Sequence, residues 1–474
     1  MKTLRNTVIV LLFSLGLNAQ SDLMLYNFNS VAQSLHVNPA LKQQTRVWGG
    51  LPALSGIHLH YHNNGFALID LYEKDTDINQ NKDKIILSLD DRSQIAFNQS
   101  TELLGVGFRA FKGFVTLGAT QNIDYRMTYP ADLLKLINFG NAPADYRNLD
   151  VGGFTFESLV RTNYYVGFQR DFNEKLRLGG TLKFIIGQAN THVDRMKARV
   201  VTTDSSSIFV ETDVLIRSAG ISGFFDSEDG FDFGNAFFSN NYGFGVDLGA
   251  SYDLTEKWNF SASVIDLGMI SWKSNTRDNI SKGSFEYDGL NANLSNDKPI
   301  EDFEEITDSL EAAFDFQEIE GNSYNKALSS RVFLGANYHL TDRHTFGLLY
   351  HGRIWENQLF NDFSANYQGK LLRGLQLSLS YSVINGTYNN VGAGLMLKLG
   401  PAQLYVLSDN VLHLMMYENL QTTNVRAGLN ITLFDKKDKS AKEERKRKKK
   451  ESKKQSEAEP ETAKYQNLNL KQLI

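Results

Sequence analysis

The chain has 474 residues, with 49 Lys and Arg against 54 Asp and Glu and no cysteine. Without thiols, disulfides, thiolate metal sites and a lipidated N-terminal cysteine are excluded. Residues 435–474 carry 14 basic against 8 acidic side chains, leaving 35 against 46 elsewhere, and an acidic body with a basic tail is not the footprint of a nucleic-acid binder.

Residues 1–19 read as a secretory signal: Lys2 and Arg5, then the apolar run around Val8–Phe13, then Leu17-Asn18-Ala19 before Gln20. The run is about eleven residues, too short to span ~30 Å of hydrocarbon as a helix. No later stretch reaches the ~20 apolar residues a membrane helix needs. Residues 20–56 alternate weakly and contain Val37-Asn38-Pro39-Ala40, a turn signal. They are expected to be either a plug over a barrel mouth or a loosely ordered arm.

From Ile57 onward period 2 dominates. Ile57–Tyr72 reads as a hairpin about Asn63-Asn64-Gly65. His58, His60 and His62 share one of its faces, which suits either a metal or, the preferred reading, a polar stripe facing a lumen. Leu375, Leu377, Leu379, Tyr381 and Val383 alternate with Gln376, Ser378, Ser380 and Ser382. The same alternation holds over Tyr242–Tyr252, Trp258–Val264, Val332–Leu340 and Val391–Leu399. It ends in Asn424–Phe434, where Val425, Ala427, Leu429, Ile431 and Leu433 oppose Arg426, Gly428, Asn430 and Thr432. A soluble sandwich also alternates, but strands of about 9–12 residues with aromatic ends fit a tilted membrane crossing.

Connections alternate between short and long, as outer-membrane barrels require. Tight turns fall near 111–113, 172–174, 255–256, 341–342, 371–373 and 400–401, and long connections near 73–91, 129–160, 273–326 and 409–423. The alternation fails once. Strands near 175–203 and 208–218 leave 219–241 to return across the membrane, either as an unseen strand or through the lumen. Short helices are expected at Pro130–Phe139 and, with an acidic surround, at Pro299–Phe316.

The tail includes Lys446-Arg447-Lys448-Lys449-Lys450. It could contact anionic lipid or a periplasmic partner, or be a solvated extension. Catalytic signatures are missing: no Gly-x-Ser-x-Gly, His-Glu-x-x-His or Walker loop. Ser408-Asp409-Asn410 reads as a loop turn, and Asp75–Asn79 as a polar loop rather than a calcium site.

Asn38-Pro39-Ala40 with Gly50–Ile57, then Val264-Ile265-Asp266-Leu267-Gly268 with Trp272, Ser408–Leu412 and Asn424–Asn430 together resemble a family of outer-membrane barrels from Bacteroidota. That family is similar in architecture to the PorV and PorP/SprF proteins of type IX secretion and gliding, and more remotely to long-chain fatty-acid transporter barrels. The resemblance implies about 14 strands, an N-terminal segment near the lumen, and no catalytic residues. Asn38, Pro39, Ala40, Asp266, Asp409 and Asn410 become candidate plug or motif residues, and Lys446–Lys450 candidate partner contacts.

The expectation is an all-β transmembrane antiparallel barrel in a bacterial outer membrane, non-enzymatic and without a cofactor. Its parts are a signal (1–19), an N-terminal plug or arm (20–56), the barrel (57–434) and a charged periplasmic tail (435–474). It would act as a partner-binding component of an envelope machine, in contact with outer-membrane lipid and a protein partner but not nucleic acid. The alternative is a channel for small apolar molecules, against which the Ser, Asn, Gly and Gln of the inferred inner faces weigh.

Overall fold

In a computed structural model of the chain, the period-2 segments form one continuous antiparallel sheet that closes on itself. The residues described are 22–66, 78–89, 93–139, 144–202, 208–220, 239–287, 315–355, 358–384, 387–415 and 422–433. The first half of the sheet contains β1 (Val47–Gly50), β2 (Ile57–Asn63), β3 (Ser93–Ala110), β4 (Gly113–Tyr129), β5 (Asn148–Asp150), β6 (Thr155–Asp171), β7 (Leu176–Thr202), β8 (Ile208–Ala219), β9 (Asn241–Asp253) and β10 (Trp258–Trp272). The second contains β11 (Thr276–Tyr287), β12 (Gln317–Glu320), β13 (Tyr324–Ala327), β14 (Arg331–His339), β15 (His344–Trp355), β16 (Gln358–Leu372), β17 (Leu375–Ile384), β18 (Thr387–Leu399), β19 (Ala402–Ser408) and β20 (Thr422–Leu433).

Fourteen staves close the wall. β1 and β2 are two halves of the first, interrupted at 51–56, and both pair with β20, which seals the barrel. The others follow as β3, β4, β6, β7, β9, β10, β13 with β14, and β15 through β20. The expected hairpin at Ile57–Tyr72 is not how β2 is held. Its bonds run to β20 and β3, and residues 67–72 lie outside the described residues.

Alternation decides which face meets lipid. On β17, Gln376, Ser378, Ser380 and Ser382 are buried, while Leu379 and Tyr381 point outward. Leu182, Phe244 and Leu348 are each about two-thirds exposed. In water so much apolar surface around a whole molecule would aggregate; in hydrocarbon it is the solvated face. The chain is therefore an outer-membrane-type β-barrel. Where Ala250, Ala262, Ala336 and Ala365 face outward, the wall carries a shallow apolar trough of about 730 Å³. Phe111 and Phe172 project at the short-turn rim, where aromatic rings anchor a barrel at the headgroups.

The expected tight turns are all present. The sharpest places Phe111 and Lys112 both at positive φ, the pair of conformations a type I′ hairpin needs. β20 ends at the same rim, Thr432 N–H donating to the Pro401 carbonyl at 2.7 Å.

The single failure of alternation has a simple geometric cause: β8 is not a stave. β7 is 27 residues long, far more than the ~9–11 a crossing uses. Its first half, to Gly187, pairs with β9, and its outer half, from Asn190, pairs with β8. Ala219 and Asn241 therefore sit at nearly the same height on one edge of β7, and no crossing is needed between them; residues 221–238 lie outside the described residues. β11 and β12 continue this raised flap beside β8.

The helix Ala131–Phe139 forms as expected and contributes Leu136 to an apolar cluster with Leu149, Val200, Val210 and Val214 of the flap. In the long connection near 73–91, Ile78–Ser88 is a helix, so Ile78 and Asn79, the end of the stretch Asp75–Asn79 that reads as a polar loop, are helical. Residues 75–77, 299–314 of the acidic helix, and the tail 435–474 with Lys446–Lys450 lie outside the described residues.

Candidate functional site in the lumen

Residues 22–46 occupy the space enclosed by the staves. A short helix, Leu23–Asn27, begins there with every residue buried. Leu23, Met24, Leu25, Phe28, Val31 and Val37 pack against Ile265, Phe333, Leu349, Met396 and Leu407 of the wall. The inner wall is mainly polar, so the apolar content of the lumen comes largely from this segment and a few wall positions facing it. Strand alternation weighs against an apolar passage because it carries no information about a segment that fills the lumen.

Polar contacts hold the segment at both ends. The Asp22 carboxylate accepts from Arg426 Nη2 at 2.6 Å and Arg331 Nη1 at 3.1 Å, with His58 Nε2 at 3.9 Å. Burial alone pushes the Asp22 carboxyl up, but Arg426 and Arg331 outweigh burial and hold it far below the usual carboxylate range. Met24 N–H donates to Asp409 Oδ1 at 2.7 Å, and Asn424 Nδ2 donates to Asp409 Oδ2 at 2.5 Å. Tyr26 stacks on Phe333 at 5.2 Å and donates its hydroxyl to Ser261 at 3.0 Å. Gln403 Nε2 donates to the Ser30 carbonyl at 2.9 Å.

Further along, Ala32–His36 forms one 3-10 turn against Glu102 of β3. The buried Glu102 carboxylate accepts from Gln33 Nε2 at 2.7 Å, Ser55 Oγ at 2.8 Å and Tyr165 Oη at 2.8 Å, with His36 Nε2 at 3.2 Å. One acid thus ties the segment, the interruption at 51–56 and the wall together.

The sequence candidates separate into three places. Asn38-Pro39-Ala40 makes a turn closed by Ala40 N–H donating to Asn38 Oδ1 at 2.9 Å, while Asn38 Nδ2 donates to Tyr26 Oη at 3.0 Å. The turn rests on Gly179 and Gly249, cross-strand partners of β7 and β9. A Cβ at Gly179 would strike the Pro39 carbonyl, and one at Gly249 would strike Asn38 Oδ1. Asp409 and Asn410 directly follow β19. Asn410 Nδ2 donates to Asn390 Oδ1 at 2.8 Å and to the Thr422 carbonyl at 3.1 Å.

Asp266 lies at a bulge in β10, at positive φ, where the register slips between Val264 and Leu267. Its carboxylate accepts from Lys183 Nζ at 2.6 Å and Arg331 Nη2 at 3.1 Å. Lys183 also reaches Asp247 at 2.7 Å. Asp266 and Asp22 therefore share Arg331.

Asp22, Glu102, Lys183, Arg331 and the Gly179/Gly249 pair were not singled out from the sequence. A signal existed for some of them, since Lys183 and Arg331 are charges within membrane strands, which by default mark partners or pathways. The histidine stripe faces inward as preferred, with His58 and His60 stacked at 6.0 Å. Among the described residues no group of three or more His, Asp and Glu is placed to hold a metal ion. Toward the short-turn rim the segment leaves a polar vestibule of about 1740 Å³, lined by Asn27, Ser30, Lys42, Arg177, Arg343 and Lys370 among others.

Several solved barrels are similar. The toluene transporter TbuX of Ralstonia pickettii is 8% identical at a TM-score of 0.43, over 85% of this chain and 94% of that one. A deltaS2S3 mutant of the TodX monoaromatic hydrocarbon channel is 9% identical at 0.45, over 85% and 94%. A FadL homologue of Pseudomonas aeruginosa is 10% identical at 0.40, over 84% and 92%. No curated protein matches. The model of the family of unknown function DUF5723 matches residues 39–409, from the Asn38-Pro39-Ala40 turn to Asp409, and the chain belongs to that family.

Proposed function

We propose that the chain is an outer-membrane channel for small solutes, gated by displacement of residues 22–46 within the lumen. The observation that carries this is the closure itself. The wall is sealed by backbone ladders all round, and the lumen is occupied by a segment that, short of its junction with β1 at Val47, is held to the wall by side-chain and isolated backbone contacts. Movement of that segment opens a path without breaking a stave. The gate contact between helix Leu23–Asn27 and Phe333, Ile265 and Met396 is apolar, so a small apolar molecule displaces it at the least desolvation cost. The partner-binding reading rests on residues 435–474, outside the described residues, and ranks second.

The cysteine-free chain allows a direct test. A Cβ at Gly394 lies 3.5 Å from Met24 Cγ, the position the sulfur of Met24→Cys would take, and 2.7 Å from Leu407 Cδ2, whose side-chain tip must shift to admit it. In liposomes, Met24→Cys with Gly394→Cys should pass a small aromatic probe when reduced, lose that flux when oxidised, and regain it with reductant. Equal flux in both states would remove the gate; co-purification of a stoichiometric protein partner, with no flux in either state, would favour the second reading.

A further inference from the structure

Charges buried in this lumen are almost all matched. Arg426 has Asp22; Arg331 has Asp22 and Asp266; Lys183 has Asp247 and Asp266; Arg161 has Asp124 at 3.4 Å. Arg353, on the inner face of β15 toward its outer end and close to the Arg126 charge, has no acid bonded to it. It is 6% exposed, and its Nε is buried without a hydrogen-bond partner among the described residues. It packs over the Phe360 ring at 5.0 Å. The acids close enough to act on it, Asp362 and Asp124, are engaged elsewhere. Asp362 is bonded to His351 Nδ1 at 2.7 Å, and Asp124 to Asn98 at 2.6 Å as well as to Arg161.

The groups around Arg353 are also short of partners. Both ring nitrogens of His60 and the Nε2 of His62 are buried without one, and both rings lie within reach of the Arg353 charge. His60 and His62 are buried on the inner face of β2 and Arg353 on that of β15, across the fourteen-stave wall from each other. A guanidinium isolated in a buried site is strongly unfavourable unless an anion or water completes it. Its planar fork suits two oxygens of a carboxylate or phosphate, and neutral imidazoles can add one N–H each.

We propose that Arg353, with His60 and His62 facing it, forms a binding site for a small oxyanion, a carboxylate or phosphate, on the outer side of the N-terminal segment. The site does not depend on the lumen conducting, and its test reads binding rather than flux. Calorimetric titration of the detergent-purified full chain at pH 7 with inorganic phosphate, and separately with acetate, should show saturable binding of at least one probe. The probe that binds identifies the oxyanion class. Arg353→Gln should weaken binding at least tenfold and Arg353→Lys less, while Arg373→Gln at the exposed short-turn rim leaves it unchanged. Arg353→Gln removes an unmatched buried charge, so its barrel should keep the heat-dependent gel shift of the parent. No saturable binding of either probe, or binding by folded Arg353→Gln equal to that of the parent, would overturn the site.

Discussion

Asp22→Asn tests the anchor of the lumenal segment. The substitution keeps the shape and one acceptor oxygen but removes the charge between Arg426 and Arg331. Arg331 retains Asp266, whereas Asp22 is the only ion-pair partner of Arg426 among the described residues. Breaking one side of a buried pair typically costs about 3–5 kcal/mol; with Arg331 still matched, the low end applies. At about 1.4 kcal/mol per decade, ~3 kcal/mol raises the undocked fraction roughly 100-fold. Met24, 2% exposed, reports on it: as the only thiol in a Met24→Cys background, its labelling rate follows the undocked population when redocking is fast. Labelling should accelerate about 100-fold with Asp22→Asn. Because the carboxyl is held below its ordinary value, its contribution is fully present above that value and is lost only as pH falls through the depressed one. The ratio between parent and variant should therefore stay constant from about pH 8 to pH 5. A change of less than about threefold, well under 1 kcal/mol, would show that Asp22 does not hold the segment.

Two further substitutions probe the other attachments. Gly249→Val suits a strand by propensity but places a side chain where Asn38 sits, so Met24→Cys labelling should rise while the gel shift of the barrel is kept; unchanged labelling would show that the 38–40 turn tolerates the crowding. Glu102→Ala strands the Ser55 and Tyr165 hydroxyls, while Gln33 keeps Asn430 at 2.9 Å; at about 1–3 kcal/mol per orphaned buried group, the urea midpoint of unfolding in lipid should fall clearly, and Glu102→Gln should recover part of the loss. An unmoved midpoint would refute that accounting.

The barrel was legible because alternation is a local property. The face of Ser378, Ser380 and Ser382 follows from their spacing alone, and so do the turns at 111–112 and 400–401. The flap was not legible. Ile208–Ala219 reads as a stave because nothing in its residues tells that only the outer half of β7 remains for it; that depends on where β9 begins. The lumenal site was half legible. Asn38-Pro39-Ala40 announces a turn, yet its seat is a pair of glycines about 140 and 210 residues away in sequence. Asp22, directly after a signal-like stretch, gives no local hint that its partners are Arg331 and Arg426.

The polar inner wall and the apolar segment belong to one physical arrangement. The staves satisfy their backbone through their own ladders, so the barrel does not need the segment to remain folded. When the segment leaves, Ser261, Gln403 and Asp409 exchange its donors and acceptors for water entering the bore, a nearly even exchange. What is lost is the burial of Leu23, Leu25, Phe28 and their neighbours, together with the Asp22 pairs. Displacement is thus set by a few apolar side chains and the Asp22 and Glu102 carboxylates rather than by the stability of the wall. Asp22→Asn should therefore loosen the segment and leave the barrel's unfolding midpoint in lipid where it was. A parallel fall of both would mean that segment and wall fold as a single unit, and a gate built from residues 22–46 would then be ruled out.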